Sequence, residues 1–125
     1  MRQRILVVED QEDNRRILRD LLSSVGFELM EASTGDEGVR MAELNPPDLI
    51  LMDVQMPVLD GYEATRRIKA KAELREIPII VVTSYALSGE DVKAKAAGAN
   101  AYIAKPYSPR ELLATVRRFL PQHAN

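Results

Sequence analysis

Leu49-Ile50-Leu51-Met52-Asp53 decides the fold: four apolar residues in succession, then a carboxylate. A strand with one wet face would alternate apolar and polar residues, because neighbouring side chains point to opposite sides of a sheet. Unbroken apolarity over so short a run fits a strand covered on both faces, the usual state in a parallel sheet flanked by helices. Ile5-Leu6-Val7-Val8 and Ile79-Ile80-Val81-Val82 read the same way. Two weaker runs, Glu28 to Ala32 and Ala101 to Ala104, contain small or polar residues and predict sheet edges.

Between the strands, apolar residues recur at helical spacing. Ile17, Leu18, Leu21, Leu22 and Val25 define a first helix, with Gly26 as its stop. Val39, Met41, Ala42 and Leu44 define a second, which ends before Pro46-Pro47. Its start, Thr34-Gly-Asp-Glu37, has the spacing of a capping box. A third helix is expected from about Tyr62 to Ala72, and a fourth from about Gly89 to Ala97 with Gly98 as its stop. The last opens on Ser108-Pro109-Arg110-Glu111, an N-cap, a first-turn proline and a capping-box acid together. Strand and helix thus alternate five times. Right-handed crossovers then make an α/β, doubly wound, five-stranded parallel sheet the natural architecture.

Composition agrees with one globular domain. The chain has 125 residues, 46% of them apolar and 29% charged, and no composition shift or linker divides residues 1–125. A net charge of −2 gives no sign of an affinity for nucleic acid or anionic membranes. The doublets Arg15-Arg16, Arg66-Arg67 and Arg117-Arg118 fall in helical stretches and read as solvated faces. Disulfides and thiol chemistry are excluded by the lack of cysteine. With no membrane-length apolar run and no leader pattern, a soluble cytoplasmic protein is expected.

In doubly wound sheets the working crevice lies beyond the carboxyl ends of the strands. Glu9-Asp10 follow the first strand, Asp53 ends the third, Thr83 the fourth, and Lys105 follows the fifth. Each is ordinary alone: such acids commonly cap helices or suit their positive N-terminal ends. Thr83 could be a plain strand-end hydroxyl and Lys105 a solvated lysine. Gathered in one crevice, however, three carboxylates would raise one another's pKa. A divalent cation removes that conflict, and an all-oxygen site suits Mg²⁺. Magnesium beside a carboxylate, a hydroxyl and an ammonium suits phosphoryl transfer, which needs charge neutralisation and positioning. Asp53, at the centre, is the natural nucleophile.

The runs Ile5-Leu-Val-Val-Glu-Asp10, Leu49-Ile-Leu-Met-Asp53-Val-Gln-Met-Pro57-Val-Leu-Asp60-Gly61, Ile79-Ile-Val-Val-Thr83 and Tyr102-Ile-Ala-Lys105-Pro106 resemble the receiver domain of bacterial two-component response regulators, over essentially the whole chain. The resemblance implies a flavodoxin-like (βα)5 fold with strand order 2-1-3-4-5. It implies Asp53 as phosphoacceptor and Mg²⁺ held by Asp10, Asp53 and the Gln55 backbone carbonyl, with Glu9 acting through water. Thr83 and Lys105 would grip the phosphoryl group, Tyr102 would be the switch aromatic, and Lys105-Pro106 a cis peptide. It further implies a stand-alone regulator rather than an enzyme with a turned-over substrate. The donor would be a sensor histidine kinase or histidine phosphotransfer protein, since the lone His123 lies near the terminus. The target would be a protein bound at the face of the fourth helix, fifth strand and fifth helix, including Tyr102, Tyr107 and the loop Tyr85-Ala-Leu87. No direct DNA or membrane binding is expected, and the chain would be a monomer or weak phosphorylation-dependent dimer. Ser84, Gln55 and Tyr85 would lie close to the phosphate and bear on its lifetime.

Three other readings fit these residues less well. An aspartyl-phosphate hydrolase of the haloacid dehalogenase kind would place a second acid two residues after the nucleophile, where this chain has Gln55, which cannot transfer a proton. A flavodoxin-like cofactor binder would need a phosphate loop where Glu9 to Asp13 carries four acids. A receiver-like module without phosphorylation would have no use for the complete set of Glu9, Asp10, Asp53, Thr83 and Lys105.

Overall fold

The computed structural model describes residues 2–84 and 89–120. Five strands, β1 (Arg4–Val8), β2 (Glu28–Ala32), β3 (Leu49–Asp53), β4 (Ile79–Thr83) and β5 (Ala101–Ala104), alternate with five helices. These are α1 (Glu12–Ser24), α2 (Gly35–Leu44), α3 (Gly61–Lys69), α4 (Glu90–Ala97) and α5 (Pro109–Phe119). All strand pairs are parallel, in the order β2-β1-β3-β4-β5. The sheet is therefore the doubly wound, flavodoxin-like one expected, and the two runs read as edges are its edges.

Alternation along the central strands assigns the two layers. Ile5, Val7, Leu49 and Leu51 pack with Leu18 and Leu22 of α1 and with Leu112 and Val116 of α5. Their sequence neighbours Leu6, Val8, Ile50 and Met52 pack on the other face with Ala42 of α2 and with Ala64 and Ile68 of α3. Both faces of β1 and β3 are thus dry, which is why their sequences carry no polar alternation. Burying one such aliphatic side chain contributes about 1.5–3 kcal/mol, so the layers hold the strand ends in fixed relation.

Three local expectations change. Helix α3 stops at Lys69, short of the expected Ala72, and a 3-10 turn follows at Ala72–Leu74. Lys69 ties this corner by donating to the carbonyls of Arg75 and Ile77 and to the Asn100 side chain, at 3.0, 2.7 and 3.0 Å. Helix α4 starts at Glu90, one residue after a left-handed Gly89. At α2, Thr34 accepts from the Glu37 amide, but Glu37 returns its bond to the amide of Ser33 rather than to that of Thr34. The box predicted at α5 is complete, with Ser108 and Glu111 bonded reciprocally.

Candidate functional site

Parallel register brings the strand ends to one edge. Val8 lies beside Met52, Asp53 beside Val82, and Thr83 beside Ala104. Backbone bonds continue past the strands: the Glu9 amide donates to Ala32 at 3.0 Å, and the Lys105 amide to Thr83 at 2.7 Å. Glu9 and Lys105 therefore leave the sheet in fixed directions. The Lys105–Pro106 peptide is cis.

Carboxylate oxygens of Glu9, Asp10 and Asp53 come within 4.8 Å of one another. Glu9 and Asp53 are buried, at 2% and 4% exposure. The Lys105 ammonium lies 3.3 Å from Glu9 Oε1 and 3.5 Å from Asp53 Oδ1. Burial pushes the Asp53 carboxyl above its ordinary value, and Asp10 adds to that effect. The Lys105 charge, a side-chain hydrogen bond with Glu9 and the Gln55 amide pull the other way. Glu9 is raised as well, again chiefly by burial and also by Asp53, with the Gln11 amide and Lys105 opposing. Among the described residues, Asp10 Oδ1 and Asp53 Oδ1 are buried and accept no hydrogen bond, the second meeting only the Lys105 ammonium of its ion pair. Buried acceptors are ordinarily satisfied, so two that accept no hydrogen bond inside an acid cluster mark a place suited to a cation. The donor set, carboxylates with no nitrogen or sulfur ligand among the described residues, favours a hard ion such as Mg²⁺ over a transition metal.

The loop after β3 is drawn tight around this cluster. A Cβ on Gly61 would stand 2.1 Å from the Asp53 carbonyl oxygen, so only glycine permits α3 to begin there. Between them, fully exposed Val58 adopts φ 69°, a left-handed conformation rare for a β-branched residue. Gln55 is exposed at the rim.

The remaining predicted residues fall in different places. Thr83 is buried beside the cluster, at 1% exposure. Tyr102 is 44% exposed and lines a groove of about 250 Å³ between α4 and β5, with Ala94, Lys95 and Asn100. Tyr107, expected on that same face, packs instead into the α1–α5 layer. Burial raises its hydroxyl above its ordinary value, and Glu9 and Asp53 add to the shift. Its position follows from α5 packing over α1, which turns the residue after the cis bond toward the acids. Ser84 joins Lys105, Pro106 and Tyr107 around a wide cleft against Asn14 and Ile17 of α1. The Tyr85-Ala-Leu87 loop and His123 lie outside the described residues.

Sequence reasoning missed three residues. Arg15, read as half of a solvated doublet, donates to the Glu9 carbonyl at 2.8 Å and is held from behind by Glu31 at 3.5 Å. Its three-residue spacing to Leu18, with Leu22 one turn on, puts it on the inward face of α1, a signal the sequence carries. Tyr62 and Glu90 meet across α3 and α4 at 2.5 Å, and no local pattern announces that pair.

Residues 5–117 match the response regulator receiver domain family. The polar-differentiation response regulator DivK of Brucella ovis is 38% identical over 120 residues, 96% of this chain and 98% of that protein. Among solved structures, the receiver domain of the Pseudomonas aeruginosa sensor histidine kinase PA1611, with a magnesium ion coordinated in its active-site cleft, is 40% identical. It superposes with a TM-score of 0.89 over 97% of this chain and 99% of that one. The chemotaxis protein CheY4 of Vibrio cholerae is 28% identical, with a TM-score of 0.90 over 95% of this chain and 99% of that one. Fold, acid cluster and relatives agree: the chain belongs to the response regulator receiver domain family.

Proposed function

We propose that this receiver domain takes a phosphoryl group onto Asp53 from a sensor histidine kinase or histidine phosphotransfer protein in the cytoplasm, and passes the change on as altered protein binding. The observation that carries the reading is the Asp53 carboxylate itself. It is buried, with one oxygen that accepts no hydrogen bond and is ion-paired to Lys105, and two further acids lie within 4.8 Å. Residues 1–125 act as one phosphoacceptor unit.

Asp10, Asp53 and the Gln55 carbonyl would hold Mg²⁺ directly, and Glu9 would act through water. The dication supplies charge neutralisation, so that phosphate oxygens can approach a carboxylate cluster. An Asp53 oxygen attacks phosphorus as the bond to the donor imidazole nitrogen breaks, and the imidazole leaves with its electron pair. An acyl phosphate remains. Lys105 shifts its ammonium from the two carboxylates toward a phosphoryl oxygen, and the Thr83 hydroxyl donates to another. Arg15 keeps the Glu9 carbonyl, and with it the acid loop, from swinging away. Tyr102 would be the switch aromatic, and the face of α4, β5 and α5 would be the protein-binding surface. The domain works as a monomer or a weak phosphorylation-dependent dimer, with no direct DNA contact.

Exposure to a radiolabelled small phosphodonor with Mg²⁺ tests the assignment. The wild type should acquire base-labile label, as an acyl phosphate does, and Asp53→Asn should acquire none. Label retained by Asp53→Asn would move the acceptor elsewhere.

A further inference from the structure

Glu90 is the one acid of the first turn of α4 that points inward. Asp91, next to it, is exposed, whereas Glu90 is only 8% exposed. An acid in a first turn gains from the helix dipole while remaining in water, so that effect does not account for its burial. Its carboxylate bridges the two segments that flank Asp53. Glu90 Oε1 accepts from the Tyr62 hydroxyl at 2.5 Å and from the Thr83 hydroxyl at 3.5 Å, while Lys93 lies 3.5 Å from Oε2. Tyr62 follows Gly61, the residue pressed against the Asp53 carbonyl. Burial and the Glu90 carboxylate both push the Tyr62 hydroxyl well above its ordinary value, so it stays a donor. Val54, Gln55 and Met56 continue the same wall, around an open cleft of about 460 Å³.

A threonine hydroxyl carries a single proton. It cannot donate to Glu90 and to a phosphoryl oxygen at once. We propose that Glu90 is a competing acceptor for the Thr83 hydroxyl: it favours the unphosphorylated state, and phosphorylation releases the start of α4 by taking that proton away. This rests on the reading of Asp53 as phosphoacceptor and Thr83 as its partner. Tyr62 and Lys93 set the strength of the competition, because each donor they supply lowers the demand of Glu90 for Thr83. Holding Thr83 in the wrong partnership lowers the fraction of molecules competent for the phosphoryl group, and so lowers apparent affinity by that fraction.

Beryllofluoride, a tetrahedral stand-in for a phosphoryl group on a carboxylate, tests this by calorimetric titration with saturating Mg²⁺. A weak charged hydrogen bond predicts about 3–10-fold tighter binding for Glu90→Gln than for the wild type. Tyr62→Phe, which leaves Glu90 more dependent on Thr83, should bind more weakly than the wild type. In a Thr83→Ala background, Glu90→Gln should no longer change affinity. A merely structural role would move both single variants in the same direction and would persist without the hydroxyl. Failure of the wild type to bind beryllofluoride would remove the Asp53 reading beneath the proposal. Normal wild-type binding with an unaltered Glu90→Gln, or an effect that survives Thr83→Ala, would overturn the role of Glu90 alone.

Discussion

Replacing Asp53 by Asn should stabilise the metal-free domain, although Asp53 is the centre of its site. Coulomb's law at an effective dielectric of about 20 gives about 3.5 kcal/mol for two unit charges 4.8 Å apart. With Glu9 ionised, and so giving Asp53 no hydrogen bond, Asp53 faces two such neighbours, Glu9 and Asp10, and its repulsions come to about 7 kcal/mol. Lys105, 3.5 Å away, returns about 5 kcal/mol of attraction. The balance is about 2 kcal/mol of net repulsion, to which the burial of the charge adds. With an unfolding entropy of about 2.1 cal/mol/K per residue, that corresponds to a rise in Tm of roughly 8 °C for a chain of 125 residues. Magnesium should reverse the order. At 100 times its Kd the ion stabilises the wild type by about 2.7 kcal/mol, or roughly 10 °C, while Asp53→Asn, lacking one ligand, gains much less. The assay is a pair of thermal melts for each protein, in chelator and in excess Mg²⁺. A variant that melts below the wild type in chelator, or an equal gain by both proteins from Mg²⁺, would refute the reasoning.

Acidification gives a second view of the same strain. Glu9 and Asp53 titrate higher in the folded protein than their ordinary 4.5 and 3.8, so between the folded and unfolded values the native state holds more protons. Stability then increases as pH falls through the folded values, and the gain is complete below the unfolded ones. Urea denaturation in chelator should show the wild type gaining on Asp53→Asn as pH drops from 7 towards 4; a constant gap would contradict it. Thr83→Ala should still take label from a small phosphodonor yet fail to alter protein binding, and normal switching in that variant would break the proposed coupling. Gly61→Ala should lose about 1–3 kcal/mol, as its methyl cannot coexist with the Asp53 carbonyl. An unshifted denaturation midpoint would speak against that close approach.

Fold and site were unequally legible, for physical reasons. A strand dry on both faces cannot hide that fact in sequence, so Leu49 to Met52, Ile5 to Val8 and Ile79 to Val82 announced a covered parallel sheet. Once the strands are parallel, their carboxyl ends share one edge, and Glu9, Asp10, Asp53, Thr83 and Lys105 meet without any further information. Arg15 was half legible: it stands in line with Leu18, but a doublet of arginines looks solvated until Glu31 is known to lie behind it. Glu90 was not legible. It and Asp91 are interchangeable first-turn acids by composition, and only the seating of α4 against α3 decides which one faces Tyr62 across 28 positions of sequence. Tyr107 likewise depended on how α5 settles over α1.

Intact-mass spectrometry with acetyl phosphate tests the central claim most directly, run on the wild type with Mg²⁺, with chelator, and on Asp10→Ala with Mg²⁺. The account predicts the mass of one added phosphoryl group in the first sample and essentially none in the other two. Equal labelling with and without the ion would contradict the proposal that these crowded acids need a dication before Asp53 can react.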